Sequence, residues 1–363
     1  MIRIARIGNY PTDIYNKVGF HGYQLGASNK LETFYISANV NGVVLPPLGN
    51  SKVKIFNFFL QTYPVNGSVF KKIIFTIKRI FSILIFSTNS ILYLLPKMID
   101  IVHIHSPMYV LIAIWGKLSG KKIYITFHGE DFHRIKSSRL YSWFSFIYDG
   151  VFAISPTMID RLKEIHTGTK VLLVGNGIEE EFQDYGRERK KQIIFVGSFK
   201  PVKAHQMMID GFELFHKQKE NYKLILVGDG PLFNQMKDYV ESKGLTSNID
   251  FLGQKNMNQL IELYNESEIF ALNSFSEGFP KVLLEALGCG CRIVSTKVGS
   301  VPEIMGCDYP YFIENHIPKG ISDALLSVAN AESTKFEEYE SILKRYSWEN
   351  VREIYINLYE INL

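Results

Sequence analysis

Residues 267–300 read SEIFALNSFSEGFPKVLLEALGCGCRIVSTKVGS, and this stretch predicts the fold. An apolar run of strand length, SEIFALNS (267–274), leads into a Gly-Phe-Pro turn and then into an apolar segment of helical length near 280–288. A second strand-like run, CRIVSTKVGS (291–300), follows. A strand, a helix and another strand in this order form the βαβ unit of a parallel sheet.

The same alternation continues in both directions along the chain. Other strand-like runs that end in polar or glycine-rich loops are DIVHIHSP (100–107), KKIYITFHGED (121–131), YDGVFAIS (148–155), KVLLVGNGI (170–178), KQIIFVGSF (191–199), YKLILVGDGP (222–231) and IDFLGQ (249–254). The polar stretch EEEFQDYGRERKKQ (179–192) interrupts the alternation and is the best candidate for a linker. The sequence therefore predicts two doubly wound α/β domains, with ligands bound beyond the carboxyl ends of their strands.

Length and composition fit a globular protein of two domains. The chain has 363 residues, of which 46% are hydrophobic and 21% charged, and a domain takes roughly 150 residues. Its three cysteines, Cys289, Cys291 and Cys307, are odd in number and lack metal-type spacing, which points to a reducing compartment. The start, MIRIARIGNY, alternates like a strand and does not resemble a signal peptide. We therefore expect a cytoplasmic protein.

The charge is divided unevenly along the chain. Residues 1–180 contain 20 Lys+Arg and 10 Asp+Glu, whereas residues 181–363 contain 20 and 26. We expect the first half to face something anionic, such as a phosphorylated ligand, nucleic acid or a membrane surface.

One stretch of the basic half is apolar enough to raise the question of a membrane. Residues 71–97 read KKIIFTIKRIFSILIFSTNSILYLLPK, but Lys78 and Arg79 interrupt the stretch. It falls short of the roughly 18 uninterrupted apolar residues that a spanning helix needs. The pattern favours a buried helix. The alternative is a basic, aromatic-rich helix that lies on anionic lipid at the inner face of the cell membrane.

Two glutamates, Glu277 and Glu285, bracket the turn before the apolar helix. If the helix begins near Pro280, a residue preferred in the first turn, they are separated by a rise of roughly 12 Å and a rotation of about 80°. They can serve one extended ligand but cannot share a proton. The free N–H groups of the helix start between them favour phosphate. This arrangement suits a nucleoside diphosphate that carries a sugar. Two such glutamates can also be a solvated face, but Glu285 lies in an apolar run, where an unpartnered carboxylate is costly.

These residues also carry a resemblance to a known family. NSFSEGFPKVLLEALGCGCRIVSTKVGSVPEI (273–304) resembles the signature region of the retaining GT-B glycosyltransferases of family 4, the group 1 glycosyltransferases, with its Glu-x7-Glu motif. The similarity spans about residues 100–359. Segments that match in order are DIVHIHSP, the strand ending in HGED, AISPTMIDRL, VGNGIEEEF (174–182), IIFVGSFKPVKAHQMMIDGF (193–212), LILVGDGP, LIELYNESEIFALNS (260–274) and RYSWENVREIYINLY (345–359).

The resemblance implies a GT-B architecture, in which two Rossmann-like domains face each other across a cleft. Residues 1–183 would form the acceptor-side domain, and residues 184–345 would bind the nucleotide sugar. Residues 346–363 would form a terminal helix that crosses back to the first domain. The expected activity is transfer of a sugar, with retention, from a nucleotide-diphosphate donor to a hydroxyl of a surface glycan or lipid-linked acceptor. The family generally needs no metal or other cofactor.

The resemblance also implies residue roles. Glu277 would bind the hydroxyls of the donor sugar, Glu285 the ribose, and Lys203 would neutralise the diphosphate leaving group. His128 would face the sugar across the cleft. The further donor-binding residues are expected to be Gly278, Phe279, Pro280, Lys281, Gly197, Ser198, Lys200, Gly228 and Gly230.

Two departures from the family pattern stand out. The family usually has an arginine after the first glycine of the C-terminal domain, but here the step is Gly197-Ser198. Lys200 is the candidate that would supply the missing charge. The family's N-terminal glycine pair is reduced to VGFHG (18–22), where Gly19 would let backbone approach a ligand.

The histidines and one aspartate of the first half have alternative interpretations. His128 follows a strand and precedes a glycine, so it suits either a ligand-facing loop or a structural role. Asp131 would orient an acceptor or cap the next helix. We expect His103 and His105 to point to opposite faces of their strand, so that only His105 would see the cleft. The sequence shows no further ligands near them, and we therefore expect no metal.

Several other functions fit the sequence less well. LVGDGPLF offers Gly-x-Gly after a strand, but the third glycine of a dinucleotide fingerprint is replaced by Phe233. No Gly-x4-Gly-Lys-Ser/Thr loop is present, and the basic residues lack an aromatic stacking motif for nucleic acid. The alternatives that keep the fold are a related GT-B enzyme, such as a sugar-nucleotide epimerase or a phosphorylase, and a non-catalytic partner subunit, which Ser198 motivates.

Overall fold

The structure is a computed structural model that describes residues 1–9, 20–38, 45–56, 69–128, 144–166, 168–331 and 336–362. It divides into two compact units. The first contains Met1–Gly175 together with Val351–Leu363, and the second contains Asn176–Asn350. The second unit is therefore an insertion into the first along the chain.

The first unit contains a seven-stranded sheet in the order β3-β2-β1-β4-β5-β6-β7, in which every described pair of strands is parallel. Its strands are β1 (Ile2–Ile7), β2 (Leu31–Ala38), β3 (Ser51–Phe56), β4 (Ile101–Ile104), β5 (Lys122–Phe127), β6 (Gly150–Ala153) and β7 (Lys170–Leu173). Its helices are α1 (Phe20–Gln24), α2 (Val69–Leu94), α3 (Val110–Leu118) and α4 (Pro156–Ile165). The reversal of strand order between β1 and β4 marks the place where doubly wound sheets bind ligands.

The second unit contains a five-stranded parallel sheet in the order β10-β9-β8-β11-β12. Its strands are β8 (Lys190–Val196), β9 (Lys223–Val227), β10 (Ile249–Gly253), β11 (Ser267–Leu272) and β12 (Arg292–Ser295). Its helices are α5 (His205–His216), α6 (Phe233–Ser242), α7 (Met257–Glu266), α8 (Lys281–Gly288), α9 (Val301–Met305), α10 (Pro318–Ala329) and α11 (Phe336–Arg345). The strand order reverses between β8 and β11, as it does between β1 and β4.

The second sheet is buried on both faces, as a doubly wound fold requires. Successive residues of β8 show why: Ile194 and Val196 pack with α7 and α8 on one face, while Ile193 and Phe195 pack with α5 and α6 on the other. Because successive side chains of a strand point to opposite faces, burial of both faces accounts for the continuous apolar run of β8 in the sequence. The two-domain α/β prediction is confirmed.

A last helix, α12 (Trp348–Asn362), completes the first unit. From Val351 onward its residues belong to that unit, and Tyr355 and Tyr359 are almost fully buried. The Tyr359 hydroxyl lies 2.6 Å from Nδ1 of His103, and the Tyr355 hydroxyl lies 3.1 Å from Oγ1 of Thr126. The polar network ties β4 and β5 to residues more than two hundred positions later in the chain.

The chain passes between the two units at 175/176 and at 350/351. The predicted boundaries were 183/184 and 345/346. Residues 176–183 pack in the second unit, where the backbone N–H of Ile178 donates to the carbonyl of Tyr346 at 2.9 Å and Phe182 joins the core. The linker interpretation of 179–192 is therefore wrong at its start. Glu179 and Phe182 are buried, and β8 already begins at Lys190.

Helix α2 is only partly buried, contrary to the favoured expectation. Phe86, Ser90 and Leu94, spaced four residues apart, face the interior. The first half of the helix instead exposes large apolar side chains, namely Ile73, Ile74, Ile77, Ile80, Phe81 and Leu84. Within the part of the chain that the structure describes, Lys71–Leu94 is the one helix whose length and composition would suffice to cross a membrane.

We expect Gly177→Ala to destabilise the second unit. An added Cβ would lie 2.3 Å from Cδ2 of Trp348, a residue that is only 2% exposed. Overpacking of this kind costs about 1–3 kcal/mol, which urea unfolding would measure. In a Trp348→Ala background the same substitution should cost much less. An equal cost in both backgrounds would contradict the assignment of the clash.

We also expect a pH dependence of stability from His166, whose ring packs against Phe127 and Tyr148. Burial lowers the pKa of His166 from 6.5 to about 4. Between these values the unfolded chain binds the proton and the folded chain does not, so stability is fully present above pH 6.5 and falls as the pH drops toward 4. At pH 5 the loss is about 2 kcal/mol. His166→Phe should therefore flatten the decline of unfolding free energy between pH 7.5 and 5. Parallel profiles would contradict this.

Candidate active site

The loops that follow β8 and β11 lie at the point where the strand order of the second sheet reverses. Parallel strands bring their carboxyl ends to one edge of a sheet, and ligands bind there. The loop after β8 holds residues 197–204, and the loop after β11 holds residues 273–280. The two loops contact each other directly, since the N–H of Phe275 donates to the carbonyl of Val202 at 2.8 Å.

Lys203 and Glu277 form an ion pair between these two loops. Lys203 Nζ donates to Glu277 Oε1 at 2.5 Å, and the side chains are only 17% and 12% exposed. Ser274 Oγ donates to the same oxygen at 2.6 Å. Two residues predicted for catalysis, 74 positions apart in the chain, are thus brought together. Ser274 was not predicted. Its position three residues before Glu277 is the feature of the sequence that could have indicated this contact.

The backbone next to Lys203 adopts an unusual conformation. Ala204 has φ 51° and ψ 41°, and it is the one described residue other than glycine with positive φ. Such a conformation costs of order 1–3 kcal/mol and persists only when its surroundings impose it. Here the buried side chain of Asn273 donates to the carbonyl of Ala204 at 3.2 Å. Asn273 and Ala204 therefore help to fix the position of Lys203, and neither was predicted.

Three predicted glycines bring the loops after β8 and β9 into close contact. A Cβ on Gly228 (φ 138°) would lie 2.0 Å from the carbonyl oxygen of Gly197, and one on Gly230 (φ 156°) would lie 2.7 Å from that of Phe199. Larger residues would push these loops apart. Ser198 lies half-buried between Gly197 and Phe199.

Lys200, the candidate replacement for the family arginine, is exposed. It immediately precedes the short 3-10 helix Pro201–Lys203. Its backbone N–H donates to the carbonyl of Ser198 at 2.7 Å. Lys200 thus belongs to the same loop as Lys203.

The turn after Glu277 leads into α8. The carbonyl of Gly278 accepts hydrogen bonds from both the N–H and the hydroxyl of Ser300, each at 3.1 Å. Phe279 packs on the core and its ring meets that of Tyr346. Pro280 lies at the N-cap, so the helix begins at Lys281, one residue later than predicted.

Lys281 pairs with a carboxylate that was not predicted. Its Nζ lies 2.5 Å from Oε1 of Glu179, and both side chains are largely buried. The ammonium also lies 5.5 Å from the ring centroid of Trp348. The structure thus places Lys281 in a protein ion pair and shows no role for it toward a donor.

Glu285 is completely buried on α8 and accepts a hydrogen bond from the hydroxyl of Tyr264 at 3.3 Å. Burial and the neighbouring Glu285 raise the pKa of Tyr264 well above its usual value. The hydroxyl therefore stays protonated and remains a donor. The carboxylate is held by protein in this structure, and a contact with ribose stays a prediction.

The predicted residues of the first unit form a separate group at the carboxyl edge of its own sheet. His105 follows β4 and His128 follows β5, and their rings stack with centroids 5.8 Å apart. His21 of α1 meets both rings, at 6.0 Å and 5.2 Å. His21 was not predicted. Gly19 and Asp131 lie outside the described residues.

Two expectations about these histidines were wrong. The rings of His103 and His105 stack at 4.4 Å, because residues two apart on a strand share a face and do not oppose each other. The expectation that no further ligands lie nearby also failed. His21 and His128 approach His105 through the fold, and sequence spacing cannot show this.

The rings of His105 and His128 are held in the neutral form. Burial lowers the pKa of His128 to about 4. Burial, and then the neighbouring His103, His128, His21 and Arg6, lower the pKa of His105 well below 6.5. At neutral pH each of these two rings therefore keeps a nitrogen lone pair that can accept a hydrogen bond or bind a metal.

Comparison with known proteins agrees with this architecture. Residues 57–182 match the family model "Glycosyltransferase Family 4", and residues 177–345 match "Glycosyl transferases group 1". An uncharacterized glycosyltransferase of Methanocaldococcus jannaschii is 26% identical over 72% of this chain and 76% of its own length. The N-acetyl-α-D-glucosaminyl L-malate synthase of Bacillus anthracis is 27% identical over 72% of this chain and 74% of its own.

A solved structure supports the fold over the full length. The apo form of the lipopolysaccharide outer core galactosyltransferase WaaB covers all of this chain and all of its own, with a TM-score of 0.69 at 17% identity. The structural neighbours have the GT-B fold. The two family matches overlap and together run from residue 57 to residue 345, so the chain contains a family 4 glycosyltransferase domain followed by a group 1 glycosyltransferase domain.

Proposed function

We propose that this glycosyltransferase moves a sugar, with retention of configuration, from a nucleotide-diphosphate donor to a hydroxyl of a surface-glycan or lipid-linked acceptor. The observation that carries the proposal is the pair of Lys203 and Glu277 at the reversal point of the second sheet. A fixed cation and a fixed carboxylate there can meet the two chemically different parts of such a donor, the diphosphate and the sugar hydroxyls.

The chemistry assigns a step to each group. The acceptor hydroxyl bonds to the anomeric carbon as the bond from that carbon to the diphosphate oxygen breaks, and the hydroxyl proton passes to the departing phosphate. Negative charge grows on the diphosphate, where Lys203 and the N–H groups at the start of α8 stabilise it. Glu277, oriented by Ser274, accepts hydrogen bonds from the sugar hydroxyls.

Retention and independence of metal are parts of this proposal. The relative from B. anthracis is named for a product with an α-linked sugar, which is the outcome of retention from an α-linked donor. Lys203 and the dipole of α8 supply positive charge, so transfer requires neither a divalent ion nor another cofactor. Lys200 adds to this charge in place of the family arginine.

A second part of the proposal concerns the place in the cell where the enzyme binds its acceptor. The exposed stripe of α2, defined here by Ile73, Ile77, Ile80, Phe81 and Leu84, lies on one side of the helix at a spacing of three to four residues.

Basic residues flank this stripe. At about 100° per residue, Lys71 and Lys78 fall on one flank of it, and Lys72 and Arg79 on the other. An apolar stripe between basic flanks is the pattern of a helix that lies in the interface of an anionic membrane. The second half of α2 is packed into the first unit through Phe86 and Leu94, which favours lying on the membrane over crossing it. We propose a cytoplasmic protein bound peripherally at the inner face of the cell membrane.

The alternatives within the fold remain a sugar-nucleotide epimerase and a non-catalytic partner subunit. The first would convert the donor without an acceptor. The second would bind nucleoside diphosphate weakly and turn nothing over.

A thermal-shift screen of nucleotide sugars would identify the donor, because a ligand that binds the native state raises its melting temperature. Product analysis by NMR then reads the anomeric configuration, and EDTA treatment tests the need for metal.

With the donor identified, we expect Lys203→Met to lower kcat by at least about 100-fold, the loss typical of removing one group that stabilises developing charge. Glu277→Gln should lower turnover by a similar factor. Release of nucleoside diphosphate is the measurement, and circular dichroism checks the fold.

The matched control is Lys243→Met, which breaks a partly buried ion pair of the same unit, with Glu213 at 2.6 Å. This variant should keep its activity. Near-normal rates in Lys203→Met and Glu277→Gln would remove their assigned roles. An equal loss in Lys243→Met would show that the effect is one of stability.

For the membrane part, we expect the protein to float with vesicles that contain phosphatidylglycerol at low salt and to be released as the salt concentration rises. Replacing Lys78 and Arg79 by Gln together should weaken partitioning by about 30-fold, at about 1 kcal/mol per charge. Phe81→Glu should abolish it, whereas Leu118→Glu, on an 85% exposed residue of α3, should not. Failure to float at low salt would reject this part of the proposal.

A further inference from the structure

The three histidines of the first unit occupy the position at which its fold binds ligands. His105 immediately follows β4, one of the two strands at the reversal point, and His128 follows β5 beside it. His21 lies in α1, the described helix that comes next in the chain after β1. The side chains thus come from three segments that are distant in sequence and converge on one place.

The distances between the three rings are close to those of a metal site. One ligand nitrogen from each ring lies within 4.8 Å of the others. Three nitrogens bound to tetrahedral zinc at about 2.0–2.1 Å are about 3.3 Å from one another. The nitrogens therefore need to approach by at most about 1.5 Å, which rotation of imidazole side chains can supply.

The state of His105 gives an independent indication. Its side chain is 8% exposed, and neither of its ring nitrogens has a hydrogen-bond partner among the described residues. A buried polar group without a partner costs free energy and calls for an explanation such as a bound ion or water. A metal ion bound by His105 would satisfy one of these nitrogens.

The ligand types and the charge near the site determine which metal ions it suits. Among the described residues the candidate ligand set holds three histidines and no carboxylate. Arg6 lies behind the site, with Nη1 3.0 Å from Nδ1 of His103, which in turn stacks on His105. Imidazole ligands beside a fixed cation do not suit Ca²⁺ or Mg²⁺, which prefer anionic oxygen ligands. Imidazoles suit zinc and its first-row neighbours.

We propose that His21, His105 and His128 form a site for a zinc-type divalent ion, with three imidazole ligands and a fourth position open to solvent or an anion. The ion is not needed for transfer. Resting on the proposed function, and on the role that the family resemblance implies for His128, an ion at this site occupies that imidazole and inhibits the enzyme.

The test uses Co²⁺ as a spectroscopic probe on the full chain, freed of metal with EDTA and then dialysed, at pH 7.5. We expect one Co²⁺ per chain, with the visible absorption bands of a tetrahedral site, and displacement of Co²⁺ by Zn²⁺. His105→Gln and His21→Gln remove a ligand. Each should weaken binding by more than the roughly 10–100-fold that loss of a supporting contact costs.

The matched control is His166→Gln, which alters a buried histidine of the same unit outside the cluster. This variant should bind Co²⁺ as the unaltered chain does. The site is overturned if the unaltered chain shows no tetrahedral spectrum, or if both ligand variants keep their affinity. Two ligand variants are used because one of them can fail to fold.

A separate measurement tests inhibition. Added Zn²⁺ should lower nucleoside diphosphate release from the unaltered chain, and EDTA should restore it, while His21→Gln should resist Zn²⁺ at concentrations that inhibit the unaltered chain. Full activity with the site saturated would overturn the inhibitory role. Cobalt binding without turnover of any nucleotide sugar would leave the site standing and would instead overturn the proposed function.

Discussion

A parallel sheet brings the carboxyl ends of all its strands to one edge, and the functional groups of this protein depend on that constraint. Lys203 follows β8, Glu277 follows β11, His105 follows β4 and His128 follows β5. Neither sheet could bring these residues together if its strands were antiparallel, because successive loops would alternate between opposite edges. The βαβ connection, which places a helix between consecutive parallel strands, is thus the origin of both sites.

The ion pair of the second unit illustrates what that placement achieves. Two largely buried charges gain attraction from the low dielectric but lose hydration, so the pair contributes little net stability. The ion pair matters because its two charged groups are held in fixed positions. Ser274 and the backbone of Ala204, held by Asn273, restrict the pair, and little reorganisation is then needed when a charged ligand arrives. The strained φ of Ala204 lies beside the candidate active site, and strain of this kind clusters at functional sites.

The sequence predicted the sheets because their inner strands are continuous apolar runs of strand length. An inner strand such as β8 is buried on both faces, so its composition is set by local rules that are readable one segment at a time. Lys203 and Glu277 were also predicted, through a resemblance that spans both loops. The ligand role predicted for Lys281 is not shown, and Glu179 was taken for part of a linker. Their pairing across 102 positions is a property of packing.

The cluster around His105 also shows which contacts can be predicted from the sequence and which cannot. That His103 and His105 share a face follows from strand periodicity alone, so the sequence already contradicts the expectation that they point to opposite faces. The approach of His21 follows from no local rule, since α1 is a short helix with no strong pattern. Helix α2 was misjudged because apolar content does not say which side of a helix meets the interior. Only the positions of Phe86 and Leu94 against their neighbours decide that.

The insertion of the second unit into the first has a consequence for the order in which the chain folds. Residues 176–350 are contiguous, so this unit can complete its core as soon as it leaves the ribosome. The first unit buries Tyr355 and Tyr359, which are synthesised after the whole of the second unit. The usual sequence of events during translation, with the N-terminal domain finishing first, is therefore reversed here. The earlier half of the protein waits, with part of its apolar surface uncovered, for a segment made after the whole second unit.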